Sequence, residues 1–83
     1  MELTDSLDLH TFRASEVADV VDEYVRAAHE AGMTRVRLIH GKGTGTLRRV
    51  VHGVLDRHPA VERYALDDGN WGATLVAIKP APR

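Results

Sequence analysis

The order of patterns along the chain predicts a two-layer α/β sandwich, β-α-β-α-β-β, with a mixed four-stranded sheet and two helices. Three observations carry that expectation. Apolar residues recur at helical spacing in two separate windows, and short strand-like runs lie before, between and after them. A glycine-rich segment joins the second run to the second window. A short turn cluster joins the last two runs.

Residues 3–5 are a short lead-in. Residues 7–10, Leu-Asp-Leu-His, alternate apolar and polar, the period of a half-buried strand. Leu7 and Leu9 then face the core, while Asp8 and His10 share the other face. Residues 11–14 lead into a helix over 15–31, whose stripe is Val17, Val20, Val21, Tyr24, Val25 and Ala28. Ser15 is either its N-cap or part of its first turn, and Gly32 closes it. Its outer face, with Asp19, Asp22, Glu23, Arg26 and Glu30, is mainly acidic and unsuited to nucleic acid. Residues 34–40 form the second strand. The second helix spans 44–58 on the stripe Leu47, Val50, Val51, Val54 and Leu55, with Pro59 just beyond and Arg48, Arg49, His52 and Arg57 off the stripe. Residues 61–66 are the third strand, 67–70 the turn and 73–79 the fourth strand, and Pro80 and Pro82 end the regular structure. Strand-helix-strand connections favour parallel neighbours. The short turn favours an antiparallel hairpin.

The 83 residues make one domain, 1–83, with a thin core, because a chain this small buries only roughly 60–65% of its unfolded surface. Composition is that of an ordinary globular protein. No apolar run approaches the ~20 residues of a membrane span. The acidic start lacks the pattern of a signal peptide. The chain has no cysteine, which removes disulfides and thiolate zinc sites and is compatible with a reduced, cytoplasmic setting. A net charge of −1 speaks against strong nonspecific nucleic-acid binding and leaves room for a local basic patch.

Such a patch lies in Val-Arg-Leu-Ile-His-Gly-Lys-Gly-Thr-Gly-Thr-Leu-Arg-Arg-Val-Val, residues 36–51. A helix start presents unpaired N–H groups and the positive end of the dipole. Glycines allow several N–H groups to converge on an anion. Gly41, Lys42, Gly43, Thr44, Gly45, Arg48 and Arg49 therefore form a candidate phosphate seat. The spacing matches neither a P-loop nor the dinucleotide fingerprint, so no nucleotide cofactor is expected. The structural alternative is a tight turn needing positive φ at several positions.

His10 and His40 each end a strand, at the sheet edge where α/β proteins place their ligands. Asp8 stands one two-residue step, roughly 7 Å, behind His10. Asp8, His10 and His40 are thus candidate catalytic residues for phosphodiester cleavage, with a base or water-orienting carboxylate and a histidine acid. Set against this, strand-end histidines commonly cap by hydrogen bonding, and Asp8 has a simpler role in orienting His10. A metal site made of Asp8, His10 and His40 is weakly supported. Mg2+ is carried as the one candidate cofactor, with no ligands assigned. His29, His52 and His58 are expected at the surface or at helix ends.

Leu-Asp-Leu-His, His-Gly-Lys-Gly-Thr-Gly-Thr-Leu-Arg and Gly-Ala-Thr-Leu-Val, in this order and spacing, resemble the Smr (small MutS-related) family over residues 7 to 78. The family includes the C-terminal domain of MutS2 proteins and stand-alone members. The resemblance implies the βαβαββ two-layer fold and, in several members, nicking endonuclease activity on DNA or RNA. It implies site residues at Asp8, His10, His40, Gly41, Lys42 and Gly43, with phosphate contacts from Lys42, Arg48 and Arg49. Two departures stand out. Thr11 and Phe12 follow the first motif where the family commonly has glycine, and Thr11 either narrows the approach to His10 or adds a hydroxyl. The last turn reads Gly69, Asn70, Trp71, Gly72, Ala73, Thr74, where Asn70 tolerates a left-handed backbone and Trp71 either stacks on a base or packs at the sheet edge. No MutS-like ATPase motif or clamp helix is present, and the initial Met and compact ends favour a stand-alone member. A nicking endonuclease is the leading expectation. A non-catalytic nucleic-acid-binding module is the alternative, and a protein-interaction domain the third.

Overall fold

The computed structural model describes residues 3–43 and 45–80, with Asn70 and Trp71 described by their backbone alone. The elements are β1 (Ser6–Asp8), α1 (Ala14–Glu30), β2 (Arg35–Ile39), α2 (Thr46–Arg57), β3 (Val61–Asp67) and β4 (Asn70–Ile78). They form one four-stranded sheet in the order β1-β2-β4-β3. β1 runs parallel to β2, and β4 runs antiparallel to both β2 and β3. The expected mixed sheet and terminal hairpin are both present. Because β4 inserts between β2 and β3, the connection through α2 skips one strand position.

Both helices cover one sheet face. Val17, Val21, Val25 and Ala28 of α1 and Val51 and Leu55 of α2 meet Leu9, Val36, Leu38, Val76 and Ile78 in a single core. Each fully buried Val or Leu contributes about 1.5–3 kcal/mol. Val20, Tyr24, Leu47, Val50 and Val54, the rest of the two stripes, pack around that centre.

The element ends shift by one or two residues for identifiable reasons. α1 starts one residue early, after Arg13, whose N–H is taken by the Glu16 carboxylate at 3.1 Å, so Ser15 lies in the first turn. At its other end Ala31 is the cap. Gly32 follows at φ +80°, and the Gly32 and Met33 amides bond the His29 and Ala28 carbonyls. That 5→2 and 6→1 pairing closes the helix through a left-handed glycine. α2 starts at Thr46 rather than at residue 44, because Gly45 is left-handed (φ 85°) and cannot be helical. Thr44 lies outside the described residues. His58 ends α2 in an extended conformation, as a residue before proline prefers. The β3–β4 turn is tight, with Asp67 opposite Asn70 and the Gly69 amide on the Asp67 carboxylate at 2.9 Å. Among the described residues no non-glycine residue has positive φ.

Candidate active site

β1 is shorter than the alternation over 7–10 suggests, and what shortens it builds the site. Asp8 Oδ1 accepts the His10 backbone N–H at 2.9 Å and lies 2.6 Å from His10 Nδ1. Leu9 still donates to the Ile39 carbonyl at 2.9 Å, but the Phe12 amide then bonds the Leu9 carbonyl and the chain turns away. The expected 7 Å step between Asp8 and His10 is thereby replaced by direct contact. A carboxylate only accepts, so Nδ1 carries the hydrogen and Nε2 is the nitrogen left facing outward. The His10 amide first, and its ring second, hold the Asp8 carboxyl below its ordinary value of 3.8. Both side chains are more than half exposed. Thr11 is exposed beside them, and Phe12 packs onto the core.

His10 Nε2 lies over the glycine loop. A Cβ built on Gly41 would stand 3.1 Å from it, and Gly41 itself has φ +85°. The loop is anchored from β4, since the His40 and Gly41 amides both donate to the Gly72 carbonyl, at 2.9 and 2.8 Å. The Gly41 N–H is therefore committed to the fold and is not one of the donors open to an anion. Of the three loop glycines, Gly41 and Gly45 have positive φ and Gly43 does not. A cleft of about 280 Å³ opens here between His10, Gly41, Lys42, Gly43, Gly45 and Arg48. The Arg48 guanidinium folds back over Gly45, 3.2 Å from where a Cβ would stand. Arg49, expected in the phosphate seat, is exposed and does not line the cleft. The Trp71 side chain and Thr44 lie outside the described residues.

His40 has surroundings unlike those of His10. It is 4% exposed, its Nδ1 donates to the Gly41 carbonyl at 3.0 Å, and its Nε2 meets Thr74 Oγ1 at 2.8 Å. His52 Nε2 meets the same hydroxyl, also at 2.8 Å. With His40 Nδ1 donating, neutral His40 accepts from the Thr74 hydroxyl, and Thr74 accepts from His52. The order of donors is thus set from α2 to the loop. His10 and His40 both line the cleft and Asp8 is joined to it through His10, while among the described residues no group of three His, Cys, Asp or Glu could hold a metal ion.

His52 is the residue that pattern reading misplaced. It is half-buried against the sheet, with its ring 4.7 Å from that of Tyr64. The available signal was Thr74, which shares the inward face of its strand with Val76 and Ile78 and needs a polar partner there. His58 is at a helix end as expected, but its side chain is only 5% exposed, bonding the Asp22 carboxylate at 2.9 Å and the Ala60 amide at 3.1 Å. Asp22 thus leaves the acidic outer face to tie the two helices together. His29 reaches the Pro80 carbonyl at 3.2 Å.

Two predictions follow from this buried set. Thr74→Val leaves the ring nitrogens of His40 and His52 without their partner, so unfolding free energy should drop by about 2 kcal/mol, and Thr74→Ser should restore it. Urea denaturation reads both. Burial first, then His40 and Arg48, hold His52 below its ordinary value of 6.5, with Asp56 opposing. A depressed histidine is protonated more readily in the unfolded chain, so its contribution is complete above 6.5 and is lost as pH falls below that value. The urea midpoint should fall on acidification through this range, and His52→Gln should flatten the fall.

This arrangement, with an Asp-X-His turn over a glycine loop pinned by a Gly-X-Thr strand, defines a Smr-type domain. Residues 7–79 match the Smr domain family, and the chain belongs to it. Endonuclease MutS2 of Clostridium botulinum (strain 657) is 42% identical over 77 residues, 89% of this chain and 10% of that protein. Endonuclease MutS2 of Ruminiclostridium cellulolyticum is 41% identical over 80 residues, 93% of this chain and again 10% of the relative. The chain thus spans about a tenth of the length of these relatives. The Smr domain of Thermus thermophilus MutS2 superposes with a TM-score of 0.86 at 35% identity, covering 93% of this chain and all of that one. YdaL, a stand-alone small MutS-related protein from Escherichia coli, superposes at 0.83 with 27% identity, covering 90% of this chain and 64% of that one. No helix among the described residues is long and apolar enough to cross a membrane.

Proposed function

We propose that this domain is an endonuclease that nicks structured or single-stranded DNA or RNA by hydrolysing a phosphodiester. The observation that carries the reading is the Asp8–His10 contact with His10 Nε2 turned into the cleft over Gly41. His10 takes a proton at Nε2 from a water that attacks phosphorus. The imidazolium is stabilised by the Asp8 carboxylate, and the leaving oxygen, in line on the far side of phosphorus, takes its proton from solvent as the P–O bond breaks. Lys42, Arg48 and the first amides of α2 hold the non-bridging oxygens, where charge increases. His40 is a positioning residue in this scheme. It fixes the Gly41 carbonyl, and with it the glycine under His10. The scheme assigns no residue to Mg2+, so assays run with and without it.

The name of the MutS2 relatives, endonuclease, supports this reading. The test is incubation with supercoiled plasmid and with a structured RNA. Conversion of either to nicked product supports it. Binding without any cleavage, with a log–log salt slope of about −2 to −3, would instead establish a phosphate-binding module, at ~0.7–0.9 per phosphate contact.

A further inference from the structure

A cleft of about 330 Å³ lies away from the glycine loop, on the sheet face that no helix covers. Across that face Arg35 of β2 and Arg63 of β3 both pair with Ala77 of the strand between them. They stand two strand spacings, roughly 10 Å, apart over a methyl group. The next row places Arg37 beside Leu75, which is 40% exposed and forms an apolar ridge. A second cleft of about 210 Å³ continues past Leu75 between Arg35, Arg37, Ser6 and the one acid in its lining, Asp5. Arg37 is held by Asp67 at 3.1 Å, and Arg63 by Glu62 in an exposed pair worth little. The Arg35 side chain has no hydrogen-bond or ion-pair partner among the described residues. The face also leads to the site. The row two residues beyond Arg37 pairs Ile39 with Asp8, so the arginine fork lies roughly 13 Å along β2 from the dyad.

We infer that this open face is a second nucleic-acid contact, a track on which one strand lays phosphates against Arg35 and Arg63 and apolar surface on Leu75. Two arginines flanking a trough with an apolar floor are the complement of a sugar-phosphate chain. The inference rests on the nuclease reading for its choice of ligand.

The test is fluorescence anisotropy with a fluorescein-labelled single-stranded oligonucleotide. Arg35→Ala/Arg63→Ala should bind about tenfold more weakly and lower the salt slope by about 1.4, at ~0.7 per contact on a single strand. Arg26→Ala/Arg57→Ala, which removes the same charge from the helix side, should bind like the wild type. Equal binding and equal slope for the Arg35/Arg63 variant overturn the inference, and leave the nuclease reading intact if the wild type nicks plasmid and His10→Ala does not. Weakened binding without nicking by the wild type supports the track while the cleavage reading fails. No binding of the oligonucleotide by the wild type overturns both.

Discussion

Gly41→Ala is expected to abolish nicking while lowering the unfolding free energy by only about 1–2 kcal/mol. Two costs fall on one position. At φ +85° an alanine adopts a backbone conformation in which its Cβ crowds the following carbonyl. That Cβ also stands 3.1 Å from His10 Nε2, closer than ordinary contact, so the imidazole has to move. It moves only by loosening its 2.6 Å contact with Asp8, the interaction that sets its tautomer. The reacting nitrogen is displaced whichever way the strain is relieved. Gly32→Ala is the matched control: it has the same left-handed backbone (φ +80°), a Cβ there meets nothing within 4 Å, and it does not line the cleft. It should nick at close to the wild-type rate. Plasmid nicking and urea denaturation of the two variants check this, and equal activity of Gly41→Ala and Gly32→Ala would remove Gly41 from the site.

The other large effect is expected from Asp8→Asn, with a fall of about 10²–10⁴ in kcat and little change in KM or stability. The amide keeps the shape and still accepts the His10 N–H through its oxygen. It carries no charge to favour the imidazolium, however, and it no longer requires hydrogen on Nδ1. Stability should hardly respond, because both side chains are exposed. The Asp8 carboxyl titrates below 3.8, so the link it makes to folding is complete above that value and is lost only as pH falls through the lowered one. A variant that unfolds at neutral pH would show that Asp8 is a structural cap. A variant with full kcat would show that it is not part of the chemistry.

Much of this architecture is legible in local pattern. The stripes that place Val17, Val21, Val25, Val51 and Leu55 inward are periodic, and the core contains all of them. Alternation places Leu9 inward and Asp8 outward, but β1 ends at Asp8 and His10 meets it through a turn, which alternation does not report. What else is not legible depends on partners far away in sequence. Periodicity reports which face a residue uses but not which strand lies beside it, so the insertion of β4 between β2 and β3 is hidden. The Gly72 carbonyl that takes the Gly41 amide, and the Thr74 hydroxyl shared by His40 and His52, come from that inserted strand more than thirty residues beyond His40. Those bonds are why a loop read as a cluster of anion donors is in part a pinned turn. They also explain why two strand-end histidines of similar local sequence end up with different surroundings, one exposed against a carboxylate and one buried with both nitrogens engaged.

The most direct measurement compares wild type and His10→Ala, purified in parallel, on the same supercoiled plasmid over time. With His10 as the general base, relaxed circles accumulate with the wild type and not with the variant, while both melt at similar temperatures. Equal nicking by the two proteins would place any cleavage elsewhere and leave the Asp8–His10 turn as an element of the fold.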